Sequence, residues 1–257
     1  MFFIELKLEI LIFFFFFFLV LEKVRYYYNQ KDYYIRHDSS NLLIMFFNTL
    51  IFNSLFTYIY FLITSSNIFK KYGVFQILKM NYLIQGIIII LLLDLWTYFW
   101  HRLNHEIKFL SKFHRVHHTD TMMNVTTAVR FHFIEFLLSF LFKALIILIL
   151  GISLKYLIVY EIIMNICVYF HHSNIKINKR LDNILNKVIV TPYMHRVHHS
   201  IIKNERNSNY SALFCIWDKI FNTYVYREDI ENITFGVEKY QDKKYDTFIY
   251  MLLTPFK

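Results

Sequence analysis

The chain has 257 residues and a formal net charge of +9, and 56% of its residues are hydrophobic, including 29 Phe and 20 Tyr. Water-soluble domains are about 45–50% apolar, so this composition argues against a soluble protein, and four glycines and two prolines leave little material for the turns of an all-β fold. Two cysteines, Cys167 and Cys215, exclude a disulfide framework and a cysteine-rich metal motif. The basic charge is typical of cytoplasmic loops that face anionic lipid, and we favour this interpretation over nucleic-acid binding.

Three apolar runs in the first 100 residues predict membrane-spanning helices. Residues 1–21 include six consecutive phenylalanines and predict a first transmembrane helix, because no small-residue cleavage site of a signal peptide follows them. Residues 42–64 predict a second span. Residues 82–100 predict a third span, which runs directly into His101.

Two further runs predict a helical hairpin. Residues 133–150 and 154–170 are apolar and are separated by a break at Gly151, so we expect the chain to enter the membrane and return to the side it left. Lys143 and Glu161 lie inside these runs. Charges within a membrane are costly and often functional, but snorkelling side chains or a shallow hairpin would account for them equally well.

The fold class follows from these runs. Residues 173–257 contain no run long enough to span a bilayer, so we predict a membrane-associated helical cap there. The expected fold is all-α: an integral-membrane helical bundle of about three spans plus a helical hairpin, with a cytosolic cap rich in histidine.

Histidines are concentrated where the predicted spans end. The stretch HRLNHEIKFLSKFHRVHH, from His101 to His118, holds five of the 12 histidines, and HRVHH returns at His195–His199. The spacings i, i+4 and i, i+3, i+4 place several imidazoles on one helical face, and neutral imidazole is a good ligand for first-row transition metals. We therefore predict one polynuclear metal site. Its candidate ligands are His101, His105, His114, His117, His118, His171, His172, His195, His198 and His199.

The number of histidines points to two metal ions. The HxxxH motif and the two HxxHH motifs supply eight imidazoles and His172 supplies a ninth, which is too many for one tetrahedral ion. Two ions with four or five nitrogens each, and with positions left open for oxygen or solvent, would use them all. The alternative is that these histidines are polar interface residues near lipid headgroups, and the repeated HRVHH argues against it.

The predicted topology places the histidines on the more basic side of the membrane. Three spans and a hairpin put all three histidine groups on the same face as the loop 22–40, so the positive-inside rule predicts a cytoplasmic site. The cations on this face are Lys23, Arg25, Lys31, Arg36, Arg102, Lys108, Lys112, Arg115 and Arg130. Those on the opposite face are Lys7, Lys70, Lys71, Lys79 and Lys155.

Other reaction classes lack their motifs. A zinc peptidase needs His-Glu-x-x-His, but the residue three positions after Glu106 is Phe109. The four glycines, at positions 73, 86, 151 and 236, cannot form G-x-S-x-G or G-x-G-x-x-G. Any nicotinamide or flavin must therefore be carried by another protein.

The motifs HRLNH, FHRVHH, HHSN and MHRVHH resemble the histidine boxes of the fatty acid hydroxylase / sterol desaturase superfamily. The similar region extends from Asp94 to about Tyr224 and includes NVTTAVRFHFIE at Asn124–Glu135 and NYSALFCIWDKIFNTY at Asn209–Tyr224. The resemblance implies an integral-membrane, histidine-ligated di-iron enzyme that uses O2 and external electrons to hydroxylate or desaturate unactivated C–H positions of lipids. It divides the chain into N-terminal membrane helices and loops at 1–80 and a catalytic domain at 81–257.

The resemblance also implies cofactors and partners. These are two iron ions, which zinc is able to replace in a preparation, and an external electron donor such as cytochrome b5 or ferredoxin with a reductase. The lipid substrate is sterol-like, fatty acyl or alkylglycerol, with a slight preference for the sterol-desaturase-like branch, in a bacterial inner membrane or an endoplasmic reticulum. A non-catalytic metal-binding or metal-transporting membrane protein is the alternative, and an inactive scaffold is a third interpretation.

The chain departs from the family pattern at three turn positions. It has Phe133 where the family often has Pro, and Ser211 and Asn222 where the family often has Gly. These differences place local backbone shape in question more than the metal chemistry.

Residues next to the boxes have expected supporting roles. His171 is either a tenth ligand or a hydrogen-bond donor behind the ligands. His132 is expected to be a hydrogen-bonding or structural partner of Glu135, with metal ligation as the alternative. Asn124 and Asp218 are expected to orient ligand imidazoles, since metal-bound histidines usually donate their second N–H to such groups. For Asp218, a helix cap or an ion pair is an equally good interpretation.

Overall fold

The computed structural model describes residues 2–29, 34–78 and 80–257, and within these ranges the chain is helical with only isolated β-bridges. The predicted all-α fold is confirmed. The helices are α1 Phe2–Val24, α2 Tyr34–Ser65, α3 Asn67–Tyr72, α4 Val74–Ile77, α5 Tyr82–Glu106, α6 Lys108–His118, α7 Phe133–Leu150, α8 Leu154–His172, α9 Lys179–Leu185, α10 Pro192–His198, α11 Lys203–Arg206, α12 Ile216–Ile220 and α13 Phe248–Leu253. Short 3₁₀ segments lie at Val125–Val129, Ile230–Asn232, Glu238–Tyr240, Lys243–Asp246 and Thr254–Phe256.

Three helices, α5, α7 and α8, are long and apolar enough to cross a membrane. α2 would be a fourth if its two halves, Ile35–Phe52 and Ser54–Ser65, act as one span across a bend of 45°. α1 is not in this set because Glu5, Lys7 and Glu9 interrupt its first half. That α1 crosses the membrane therefore stays a prediction.

The predicted hairpin is present, and a glycine makes its turn. Gly151 ends α7 with φ of +69°, a left-handed conformation that other residues adopt only with strain. Gly73 packs against it so closely that a Cβ on Gly73 would lie 2.6 Å from the Gly151 Cα. The Gln76 side chain donates to the Gly151 carbonyl oxygen at 2.7 Å. This contact joins the α3–α4 connection to the hairpin tip, at the end of the bundle away from the histidines.

The N-terminal helices pack against the hairpin. α1 lies along α8, with the Phe15 and Tyr169 ring centroids 5.4 Å apart, and α2 lies against α7, with the Phe56 and Phe140 rings stacked at 3.6 Å. At the histidine end, the Glu22 carboxylate accepts the backbone N–H groups of Val125 and Asn174. α1 and α2 are thus part of the same bundle as the long helices α5, α7 and α8.

The charges inside the hairpin pair with each other. The Glu161 carboxylate lies 3.3 Å from Lys143 Nζ and 2.5 Å from Lys7 Nζ, so it neutralises one lysine from α7 and attracts a second from α1. Lys7 therefore acts in helix packing and is not a free loop charge on the face opposite the histidines, to which the predicted topology assigned it.

Arg130 is likewise not a loop charge. It is fully buried and donates to the Val116 carbonyl, to Thr119 Oγ1 and to the Asp246 carboxylate, so it ties the end of α6 to the C-terminal segment. Lys31 and Lys79, counted in the same argument, lie outside the described residues.

Candidate metal centre

Nine of the ten predicted histidines come together, in two sets whose nitrogen atoms lie within 4.8 Å of one another. The first set, called the five-histidine group, comprises His101, His105, His114, His118 and His198. The second, called the four-histidine group, comprises His117, His172, His195 and His199. The two groups adjoin, because the ring of His118 in one lies 4.6 Å, centroid to centroid, from that of His199 in the other.

Each HRVHH motif contributes to both groups. In the first motif, the i and i+4 histidines join the five-histidine group and the i+3 histidine joins the four-histidine group. In the second motif the assignment is reversed, so its i and i+4 histidines join the four-histidine group. The three histidines of each motif thus divide between the two groups, because the i+3 and i+4 positions lie about 100° apart around the helix and face different partners.

Backbone carbonyls set the orientation of two histidines in the five-histidine group. His101 Nδ1 lies 2.7 Å from the Tyr210 carbonyl oxygen, and His198 Nδ1 lies 2.6 Å from that of Ser208. A carbonyl oxygen only accepts, so Nδ1 of each ring must carry the proton and Nε2 must carry the lone pair. That is the tautomer a metal ion requires at Nε2.

Two more histidines are oriented in the same way. His172 Nδ1 lies 2.9 Å from the Val168 carbonyl, one turn earlier in α8. His114 Nδ1 lies 2.7 Å from a Glu135 carboxylate oxygen, an arrangement that fixes the ring and raises the basicity of its other nitrogen. Glu135 was predicted to pair with His132, and its partner in the structure is His114 instead.

The remaining nitrogens fit metal ions. Nε2 of His101, His105 and His198 is buried without a hydrogen-bond partner among the described residues. In the four-histidine group, Nε2 of His172 lies 3.1 Å from that of His117 and 3.0 Å from that of His195. Lone pairs that converge in this way are poorly satisfied by one another, and a cation between them would satisfy them all.

Burial keeps these imidazoles neutral. Burial lowers the pKa of five of these histidines well below the usual value, and the neighbouring imidazoles lower it further. The five are His117, His118, His195, His198 and His199. Metal ligation requires the neutral ring, so the site is prepared for a metal at physiological pH without losing protons.

Two buried carboxylates hold the loop that orients His101 and His198. Asp218 accepts the backbone N–H groups of Tyr210 and Ser211 at 2.8 and 2.9 Å. Asp94 accepts the backbone N–H of Phe214 at 3.0 Å and the Trp217 indole N–H at 2.7 Å. In the sequence, Asp94 marks only the start of the region that is similar to the family. Its role depends on backbone contacts more than 100 residues away, which no local motif reveals.

Three predicted supporting residues stand elsewhere. His171 belongs to neither group, although its ring centroid lies 4.1 Å from that of His195. Nine histidines are therefore grouped as candidate ligands. His132 caps α7 by accepting the Ile134 N–H and does not contact Glu135. The Asn124 side chain caps the Val125–Val129 segment and contacts no imidazole among the described residues.

Asp218 also contacts no imidazole directly in the part of the chain that the structure describes. Asp218 accepts the backbone N–H of Tyr210, and the Tyr210 carbonyl accepts from His101. Asp218 therefore orients an imidazole indirectly, through the backbone. His105 Nδ1 lies 3.4 Å from the side-chain oxygen of Asn207, a residue that no motif in the sequence indicated.

Comparison with known proteins agrees with the site. The chain is 28% identical to human alkylglycerol monooxygenase over 149 residues, which is 56% of this chain and 31% of that protein. It is 29% identical to the ornithine lipid hydroxylase OlsE of Rhizobium tropici over 140 residues, 54% of this chain and 41% of that protein. The chain thus spans well under half the length of the curated relatives it matches. No solved structure matches it significantly.

The family model described as fatty acid hydroxylase matches residues 86–223, more than half of the chain. That range contains all nine histidines of the two groups, together with Asp94, Glu135 and Asp218. The chain belongs to the fatty acid hydroxylase family.

Proposed function

We propose that this protein is a membrane di-iron lipid hydroxylase that uses O2 and externally supplied electrons. The observation that carries the proposal is the convergence of nine imidazoles in two adjoining groups of five and four. Each group would hold one iron ion through Nε2, with zinc as a replacement in some preparations. Bound iron would supply the activation of O2 and the oxidation of the C–H bond.

The chain's own residues would fix the geometry and exclude water. Carbonyl and carboxylate acceptors at Nδ1 hold four of the imidazoles in the ligating tautomer. On one side the Phe131 ring stacks on His117 at 4.6 Å and covers the four-histidine group with an apolar surface. The Asn48 amide donates to the Phe131 carbonyl at 2.9 Å and holds that residue in place.

The substrate we propose is the hydrocarbon chain of a membrane lipid. His101 lies near the end of α5 and His172 ends α8, and both helices are apolar enough to span, so the site would open at the boundary of the bilayer. The relatives named above are a hydroxylase and a monooxygenase of lipids with polar headgroups, which favours hydroxylation over desaturation and an acyl or alkyl chain over a sterol.

We propose the same membrane side for the site and the same division of the chain that the sequence predicts. The site would face the cytoplasm, as the excess of basic residues on its side favours. Residues 81–257 would carry the catalysis, and the helices within 1–80 would complete the membrane bundle around it. A metal transporter is less well supported, because the charges inside the hairpin pair with each other and do not line a path.

The test combines metal content with product formation. Purified protein in lipid nanodiscs should contain about two iron ions per chain and should insert one atom of isotopically heavy O2 into a lipid chain. His117→Ala, from the four-histidine group, and His198→Ala, from the five-histidine group, should each lose metal and product. His132→Asn is the matched control, since it removes a histidine outside both groups and keeps an N-cap residue. Lipid oxidation by metal-free variants would refute the proposal.

A further inference from the structure

Hydroxylation needs electrons, and the sequence has no motif for binding a nicotinamide or flavin cofactor that would supply them. Inserting one oxygen atom of O2 into a C–H bond consumes two electrons and two protons and gives an alcohol and water. The four glycines of the chain cannot form the dinucleotide-binding fingerprint, so the electrons must arrive from a protein that carries a redox group. The following inference rests on the proposed function in this respect.

Helix α6 presents opposite chemistry on its two sides. Its inner side carries three of the histidines and is buried. Its outer side carries Lys108, Lys112 and Arg115, which follow one another at i, i+4 and i+7 and so form one stripe. A helix with its side chains is about 10–12 Å across, so this is roughly the distance that separates the stripe from the histidines.

Neighbouring segments extend the stripe into a larger basic face. Arg115 donates to the Tyr240 hydroxyl at 2.7 Å, and its guanidinium lies 5.4 Å from the Tyr240 ring centroid, with Lys239 Nζ at 5.5 Å from the same ring. Arg206 lies against the same segment, because its Nη1 donates to the Gly236 carbonyl oxygen at 3.4 Å, three residues before Lys239. We define the basic face as Lys108, Lys112, Arg115, Lys203, Arg206 and Lys239.

Among the described residues, no Asp or Glu side chain pairs with the basic face, and Lys239 Nζ donates to the main-chain oxygen of Lys257 at 3.1 Å. Within the described ranges, none of its six cations forms an ion pair, whereas Arg102 pairs with Glu106, and Arg227 pairs with Glu205 and Asp229. Arg206 is nevertheless held in place, because its Nη1 donates to backbone carbonyls that include that of Ile201 at 3.1 Å. Oriented cations without counter-charges are suited to carboxylates supplied by a partner.

The basic face lies beside the point where the metal centre approaches the surface. Of the nine histidines, His101 and His105 are partly exposed and the other seven are buried. His105 Nδ1 lies 3.4 Å from Asn207 Oδ1, and Asn207 directly follows the helix α11 that carries Lys203 and Arg206. A partner on this face would therefore stand directly over the five-histidine group.

We propose that the basic face is the docking surface for an acidic electron-carrier protein, which delivers electrons to the five-histidine group past His105. The stated chemistry is a small protein with a one-electron redox group and a ring of Asp and Glu side chains. Two successive one-electron transfers would satisfy the balance of the hydroxylation.

The test measures docking separately from turnover. The full chain in nanodiscs of zwitterionic lipid is titrated with an acidic ferredoxin, and its Kd is compared with that of the triple variant Lys108→Gln, Lys112→Gln, Lys203→Gln. The Kd should rise about tenfold at low ionic strength, and the difference should shrink as salt screens the charges. Lys70→Gln with Lys71→Gln, on the far side of the bundle, is the matched control and should bind as the parent does. Unchanged melting temperature and metal content would show that the triple variant is folded.

The outcomes separate the two proposals. An unchanged Kd in the triple variant would overturn the docking surface, as would ferredoxin binding that is insensitive to salt. A triple variant that differs from the parent only in nanodiscs containing anionic lipid would also overturn it, and would assign the face to lipid headgroups. If no form oxidises lipid at any ferredoxin concentration while the Kd still rises, the proposed function fails and the docking surface stands.

Discussion

Replacing Asp218 with Asn tests whether the metal centre is held by its supporting loop. The carboxylate accepts three donors, which are the backbone N–H groups of Tyr210 and Ser211 at 2.8 and 2.9 Å and the Thr223 hydroxyl at 2.7 Å. An amide has only one oxygen, so its NH2 group must face at least one backbone N–H and leave that donor buried without a partner.

The expected loss of stability is about 3 kcal/mol. One hydrogen bond to a charged group, about 1.5–3 kcal/mol, is lost, and the remaining bonds weaken when the acceptor becomes neutral. Burial raises the pKa of Asp218, which means that the ionised form already carries a desolvation cost and that the net loss falls in the lower part of the summed range. For a chain of this size the apparent melting temperature should fall by roughly 6–12 °C.

The effect on metal should be uneven. Tyr210 and Ser208 offer the carbonyls that orient His101 and His198, and both of these histidines belong to the five-histidine group. Loss of such an orienting contact typically lowers metal affinity by about 10–100-fold, so metal titration should show one weakened site and one site like the parent.

The matched control is Asp229→Asn, which removes the same charge from an exposed side chain that forms an ion pair with Arg227. Parental affinity at both sites in Asp218→Asn would refute the reasoning. Equal weakening of both sites would also refute it, since that would indicate a general loss of folding.

Four further predictions follow from the structure. Glu135→Gln keeps an acceptor for His114 but removes its charge, so iron affinity measured by chelator competition should fall about 10-fold, and Glu135→Ala should lower it further. Glu161→Gln leaves its two lysine partners without a counter-charge and should lower stability in detergent by about 3 kcal/mol, while replacing all three charges with leucine should recover most of that loss. Asn222 has φ of +55°, so Asn222→Gly should be neutral or stabilising and Asn222→Val should lower the melting temperature, and equal behaviour of the two would contradict a left-handed turn. Burial lowers the pKa of His117, His195 and His199 below the value of about 6.5 that they have when unfolded, so the unfolded chain binds protons first. Metal-free protein should therefore lose stability as pH falls below about 6.5. A flat stability profile from about pH 7 to 5 would contradict this.

The long helices could be read from the sequence because each of their limits has a local cause. The helix predicted from the apolar run at 82–100 begins at Tyr82 and continues to Glu106 in α5, and Gly151 ends α7 where the sequence breaks. Asn222 has the positive φ expected at a position where the family often has glycine, whereas Ser211 does not, and Asn209 takes that conformation instead. Local chemistry thus predicts helix extent well and turn positions less well.

The pairing of side chains could not be predicted from spacing. His132 and Glu135 are three residues apart, yet His132 is the N-cap of α7 and lies outside the helical face that carries Glu135. Glu135 meets His114 because α6 and α7 pack together, which is a tertiary contact. The acceptors for His101 and His198 are backbone carbonyls, and these are invisible in a sequence because every residue has one.

The crossed assignment of the two HRVHH motifs has a consequence for how the protein is made. Each group needs at least one histidine from the first motif and one from the second, which lies about 80 residues further along the chain. Neither group is complete until synthesis has reached the second motif, which follows the end of α8, the last of the long apolar helices, in the sequence. Before that point the nascent chain holds only some of the ligands of each group. Metal loading should therefore be a late event that both groups share, and it should come after insertion into the bilayer.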